Sequence, residues 1–196
     1  MERRAQIHRQ TKETSIELSL NVDGTGQYHL QTGVGFFDHM LAALAKHGRF
    51  DLDLTVQGDL EVDAHHTVED VGLCLGEAFR QALGDKANIT RFGQACVPMD
   101  EALVLAAVDL CGRGFYYGDL QGLEGAQLGT MDGQLVPEFF QSLAYRGGIT
   151  LHVRVLAGGN WHHMAEAAFK AVAVALRQAC SRDQSAGIPS TKGTLD

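Results

Sequence analysis

No stretch of about 18 consecutive apolar residues occurs in this chain, which excludes a membrane-spanning helix. The opening residues Met1-Glu2-Arg3-Arg4-Ala5-Gln6 hold no apolar signal core, so a cytoplasmic protein is expected. No CxxC pair is present. Cys74, Cys96, Cys111 and Cys180 are scattered, which points to buried reduced thiols rather than a zinc knuckle or a disulfide set. Neither GxGxxG nor GxxxxGK[ST] appears, so a Rossmann or P-loop nucleotide domain is not expected. Positive charge is scarce, 16 Lys and Arg against 24 Asp and Glu. The resulting net charge of −8 argues against a general nucleic-acid or membrane-surface partner. It does not bar a small anionic substrate, because a local Arg/Lys pocket can outvote the average. What the chain does have is 196 residues, 45% of them apolar, enough to bury a real core as one compact domain or two small fused halves. It also has 23 Gly and 9 His, and the placing of the His matters more than their number.

An internal repeat is visible. His65-His66-Thr67-Val68-Glu69 recurs as His162-His163-Met164-Ala165-Glu166, at an offset of 97. At that offset Ala78 meets Ala175, and Arg80-Gln81-Ala82 meets Arg177-Gln178-Ala179. The stretch ahead also aligns at 97, with Leu52, Leu54 and Val56 on Ile149, Leu151 and Val153. Further upstream the offset becomes 99: Leu44-Ala45 meets Leu143-Ala144, and Gly48 meets Gly147. Two similar halves follow, residues 1–93 and 94–196, the second ending in a C-terminal tail.

Each half reads as β-β-α-β-α. Residues 14–22 alternate polar and apolar, Asp23-Gly24-Thr25-Gly26 is a turn, and 27–33 can return as a hairpin. Residues 37–47 have helical spacing closed by Gly48, 51–57 alternate again, and 65–83 form an amphipathic helix. The second half repeats this with strands near 99–110 and 113–119, a helix near 135–146, a strand at 149–156 and a helix at 162–181. The expected class is α/β (α+β), a tandem duplication whose sheets are covered on one face by helices.

His65 and Glu69 are four apart, so they share a helix face and can grip one ion. His66 lies about 100° further round and points to a different one. His162, His163 and Glu166 repeat the pattern. Imidazole with carboxylate suits Mn, Fe, Co, Ni or Zn rather than Mg or Ca. His39 lies 26 residues before His65, and its counterpart Glu138 lies 24 before His162. The ligand pool is therefore His39, His65, His66, Glu69, Glu138, His162, His163 and Glu166. Shared between two sites, these leave positions open for substrate or water. His8, His29 and His152 read as solvent-facing strand residues. His47 ends a helix, where it either complements the dipole or contacts substrate.

The chain resembles the imidazoleglycerol-phosphate dehydratase family from Arg3 nearly to its end. The matching segments are Gly35-Phe36-Phe37-Asp38-His39-Met40-Leu41, Asp63-Ala64-His65-His66-Thr67-Val68-Glu69-Asp70, Asn88-Ile89-Thr90-Arg91-Phe92-Gly93, Gly158-Gly159-Asn160-Trp161-His162-His163 and Ile188-Pro189-Ser190-Thr191-Lys192-Gly193. The resemblance implies a hydro-lyase of histidine biosynthesis that converts D-erythro-imidazole-glycerol phosphate to imidazole-acetol phosphate. It implies two Mn2+ ions per active site and a homo-oligomer of 24 subunits with sites between them. It also implies helices sandwiched between two mixed sheets in two pseudo-two-fold-related halves. Some members carry His where this chain has Glu138.

For such a dehydration, metal coordination would stabilise an imidazolate form of the substrate that expels the hydroxyl through a diazafulvene-like intermediate. Glu13 is the acid/base by resemblance, and Glu69 and Glu166 could also move protons. Arg91 and Arg113 can clamp the phosphate, with Ser190, Thr191 and Lys192 of the tail beside them. Glu13, His39, His47, His65 and Glu69 complete the expected substrate contacts. The competing readings are a dinuclear metallohydrolase, a metal-storage or sensing shell, which Arg91, Arg113 and Lys192 argue against, and a DNA-binding regulator, which the net charge disfavours.

Overall fold

A computed structural model of the chain describes residues 2–184 and 187–195. Met1 and Asp196, the outer ends of the two expected halves, and residues 185–186 lie outside the described residues. Ten strands and four helices run in the order β1 (Arg4–Gln10), β2 (Thr14–Asn21), β3 (Tyr28–Gln31), α1 (Gly35–Gly48), β4 (Asp51–Gly58), α2 (His65–Leu83), β5 (Phe92–Met99), β6 (Ala102–Asp109), β7 (Phe115–Asp119), β8 (Gln127–Leu128), β9 (Met131–Asp132), α3 (Leu135–Gly147), β10 (Thr150–Ala157) and α4 (Trp161–Cys180). One sheet has the order β1-β2-β4-β3 and the other β5-β6-β10-β7. In each, the first two junctions are antiparallel and the last is parallel. The two sheets are thus the same mixed topology written twice.

Alternation sets the inner faces. Ile16, Leu18 and Leu20 of β2 and Leu52 and Leu54 of β4 are buried, and so are Val104, Ala106 and Val108 of β6 with Leu151 and Val153 of β10. The helices fill the space between the sheets. α2 packs on β1 and β2 with one side and along α3 with the other, while α4 packs on β5 and β6 and along α1. Each half therefore lends its shorter helix to the other half's longer one, and a single apolar core runs through both. Glycines bring α2 and α3 close: a Cβ at Gly76 would lie 2.6 Å from Leu143 O, and one at Gly72 would lie 2.8 Å from Ser142 Cβ. At the corresponding positions of α4 stand Ala173 and Phe169.

The structure corrects the expected half in four ways. Each half opens with a further strand, β1 or β5, so the unit is β-β-β-α-β-α. The expected strand near 99–110 is β6; it turns back on β5, which crosses the expected 93/94 boundary. Residues 28–31 do not fold back on β2; they pair parallel with β4, because α1 carries the chain across before β4 begins. Finally, β4 aligns with β10 at an offset of 99 rather than 97. The left-handed caps Arg49 and Gly148 are 99 apart, as are the returns Phe50 N–H to Ala45 O and Ile149 N–H to Ala144 O. A slip of two preserves strand parity, so the alternating pattern cannot see it. The length change sits in the next loop: six residues (59–64) lead from β4 to α2, and three (158–160) from β10 to α4.

Candidate metal centre

The histidine pairs sit at the mouths of α2 and α4, and equivalent hydrogen bonds from their backbone N–H groups to side-chain oxygens hold them there. Asp63 Oδ1 accepts His65 N–H at 2.7 Å, and Asn160 Oδ1 accepts His162 N–H at 2.9 Å. Asp63 and Asn160 are themselves 97 apart, as the repeat requires.

At the start of α4, His162 Nε2 lies 3.0 Å and His39 Nε2 3.2 Å from Glu166 Oε2. These three donors lie within 4.8 Å of one another and form the one such set among the described residues. His39 arrives from α1 of the first half, so the set joins the halves. Phe36 packs edge-on against His162 with ring centroids 5.2 Å apart. On the other side, Lys170 Nζ lies 2.7 Å from Glu166 Oε1. Burial opposes ionisation of Glu166, but Lys170 and His39 outweigh it and hold the carboxyl at about 2.

The counterpart set is looser. His65 Nε2 stands 4.0 Å from Glu69 Oε2, and Glu138, half-buried in the first turn of α3, rides on the helix that packs along α2. Leu73 occupies the position that Lys170 takes in α4. A cleft of about 460 Å³ opens beside His65, walled by Leu60, Asp63, Gln127, Asp132 and Gln134. The β8–β9 hairpin, which has no counterpart among the described residues of the first half, supplies part of that wall.

His66 and His163 do not join these sets. His66 Nδ1 lies 3.0 Å from Asp59 Oδ2, and His163 Nδ1 lies 2.8 Å from Glu101 Oε2. Their Nε2 atoms face Glu13 Oε1 at 3.8 Å and Asp100 Oδ2 at 3.7 Å respectively. Donation of a hydrogen bond to Asp59 raises the His66 pKa, donation to Glu101 raises that of His163, and His163 in turn holds Glu101 at about 2. A single chain thus gathers three ligand candidates at one place and two at another, not four at each. Asp59, Asp100 and Glu101 escaped the sequence reading, because single carboxylates at strand ends make no spacing pattern. The usable signal was Glu101 at the position of Glu13: both immediately precede the second strand of their sheets.

The anion-binding candidates lie at the other end. Arg91, in a left-handed conformation, pairs with Asp109 through two bonds of 2.7 and 3.1 Å, and its Nη1 donates to Pro189 O at 2.7 Å. That engages three of its five N–H donors. Arg91 therefore seats the tail, whose Ser190 is half-buried and whose Thr191 and Lys192 are exposed. Arg113 is exposed near the start of β10, its carbonyl accepting the Thr150 hydroxyl at 3.2 Å. His47 sits in the last turn of α1, with its carbonyl taking Arg177 Nη1 at 3.0 Å. The full length of β5 separates Arg91 from Asp100 and Glu101, roughly 25 Å of extended chain. The metal candidates and the tail cluster of one chain consequently do not face a common cleft.

The family model described as imidazoleglycerol-phosphate dehydratase matches residues 32–176. An imidazoleglycerol-phosphate dehydratase of Acidiphilium cryptum is 59% identical over 197 residues, covering 100% of both chains. One of Desulforudis audaxviator is 56% identical, covering 99% of this chain and 98% of its own. Among solved structures, the imidazoleglycerol-phosphate dehydratase of Staphylococcus aureus matches with a TM-score of 0.82 at 34% identity, over 91% of this chain and 99% of that one. The Pyrococcus furiosus enzyme, solved in complex with (S)-C348, matches with a TM-score of 0.82 at 38% identity, over 96% of this chain and 100% of that one.

Proposed function

Since the chain belongs to the imidazoleglycerol-phosphate dehydratase family, a hydro-lyase of histidine biosynthesis, we propose that it removes water from D-erythro-imidazole-glycerol phosphate with two Mn2+ ions per active site. The convergence of His39 and His162 on Glu166 carries this reading. Two imidazole nitrogens and one carboxylate within 4.8 Å are a donor set suited to a divalent transition metal. His39, His162 and Glu166 would hold one ion, and His65, Glu69 and Glu138 the other. His66 and His163 would each complete an ion site of a neighbouring subunit. When bound, the ions supply positive charge that favours the anionic form of the substrate's imidazole ring.

The chain's own residues do the rest. Glu13 is exposed beside His66 and carries no fixed side-chain partner closer than 3.8 Å among its ion pairs. It is the base that takes the carbon-bound proton. Glu69 and Glu166 serve as ligands, and Lys170 keeps Glu166 in the ionised form that this requires. Arg113, Ser190, Thr191, Lys192 and the two spare N–H donors of Arg91 hold the phosphate. Because metal and phosphate residues occupy opposite ends of one chain, the working site forms between chains. The proposed assembly is the 24-subunit homo-oligomer, acting in the cytoplasm. No helix among the described residues is long and apolar enough to cross a membrane.

Metal analysis of the purified protein, with a dehydration assay before and after chelation, tests this reading. Bound Mn2+, loss of imidazole-acetol phosphate formation on chelation, a smaller particle, and recovery on adding Mn2+ are expected. Undiminished turnover by metal-free protein overturns it.

A further inference from the structure

The second histidine of each pair has a carboxylate at Nδ1, but the two halves supply it from different places. His66 uses Asp59, at 3.0 Å, from the loop after β4. His163 uses Glu101, at 2.8 Å, from just before β6. The paired returns Val22 N–H to Arg3 O and Leu110 N–H to Arg91 O set the offset of the early strands at 88. At 88, Glu101 is the counterpart of Glu13, not of Asp59. The counterpart of Asp59, at the β4–β10 offset of 99, is Gly158. A Cβ there would lie 2.5 Å from Met164 Cγ, so an acid at that place in the second half would have to displace the buried Met164 side chain.

An ionised carboxylate only accepts hydrogen bonds, so Nδ1 of each ring carries the proton and Nε2 carries the lone pair. We propose that Asp59 and Glu101 are positioning residues that fix this tautomer and aim Nε2 of His66 and His163 outward as metal ligands. In the first half the task passes from Glu13 to Asp59, which leaves Glu13 on the Nε2 side and available for proton transfer. This inference rests on the metal-dependent reading above. Glu101 also accepts Asn160 N–H at 2.8 Å, tying the ring to the cap of its own helix.

The test is a Mn2+ titration of the metal-stripped, full-length protein against a competing chelator. Glu101→Gln keeps an oxygen for Asn160 and turns an N–H toward His163 Nδ1, which favours the tautomer that cannot ligate. It is expected to weaken one of two ions by about 10–100-fold, leaving the melting temperature of the metal-free protein nearly unchanged. Asp59→Ala is expected to weaken the other ion by a similar factor, with Asp59→Asn, which can still accept from Nδ1, recovering most of the loss. Glu13→Gln is expected to leave both affinities unchanged. Wild-type affinity for both ions in Glu101→Gln and Asp59→Ala overturns the inference, as does a Glu13→Gln loss equal to that of Glu101→Gln. A wild-type protein that binds no Mn2+ defeats the metal-dependent reading itself.

Discussion

From β10 to α4 the second half takes the short way, three residues to the first half's six, and it leaves Gly158 where the first half has Asp59. Between β7 and α3 it takes the long way, adding the β8–β9 hairpin that walls the cleft beside His65. Glu166 has Lys170 against it, while the equivalent neighbour of Glu69 is Leu73. Yet strand order and pairing directions agree throughout. Core parity and helix faces tolerate little change, so the scaffold stays duplicated. The loops and the third turn of α2 and α4 answer to no such constraint, and there the halves have parted.

Glu13→Gln probes this divergence hardest. If Glu13 alone carries the proton transfer, kcat falls by about 10²–10⁴-fold while bound Mn2+ and particle size stay as in the parent. Near-normal turnover would return the two halves to chemical equivalence. Gly76→Ala addresses the closer of the two helix pairings. The added methyl meets Leu143 O, so a stability loss of about 1–3 kcal/mol in chemical denaturation is expected. The equivalent position of α4 already holds Ala173, which marks the looser pairing.

Glu77 distinguishes α2 from α4 by charge. Its carboxyl is held at about 2, against the ordinary 4.5, chiefly by Arg80 against the cost of burial and with help from Gln81 and Arg146. A depressed pKa gives stability that is complete above pH 4.5 and lost as the pH falls toward 2. Glu77→Gln should cost on the order of 1–3 kcal/mol near neutrality and flatten that acid slope. The corresponding residue of α4 is Val174, and Val174→Ala should leave the slope unchanged. The smallest expected effect belongs to the tail: Lys192→Ala raises KM by about tenfold with little change in kcat, as lost ground-state binding does. A large kcat loss at constant KM would move Lys192 into the chemistry.

The duplication was readable because His65-His66 and His162-His163 keep their distance to Glu69 and Glu166, and the four helices because their apolar spacing is unambiguous. β1 was not, since Arg4-Ala5-Gln6-Ile7-His8-Arg9-Gln10 buries only Ala5 fully and reads as a polar leader. The 97-for-99 alignment of β4 failed because a two-residue slip keeps every side chain on its own face. Within the site, the ligand types were legible one by one. Their division was not: that His39 crosses to Glu166, or that His66 turns to Asp59, depends on α1 packing against α4 and on a loop length that no local pattern encodes.

Crystals grown in excess Mn2+, with the ions located by their anomalous scattering, test the central claim most directly. One peak is expected among His39, His162 and Glu166, and a second among His65, Glu69 and Glu138. Saturating Mn2+ with neither place occupied would contradict the account.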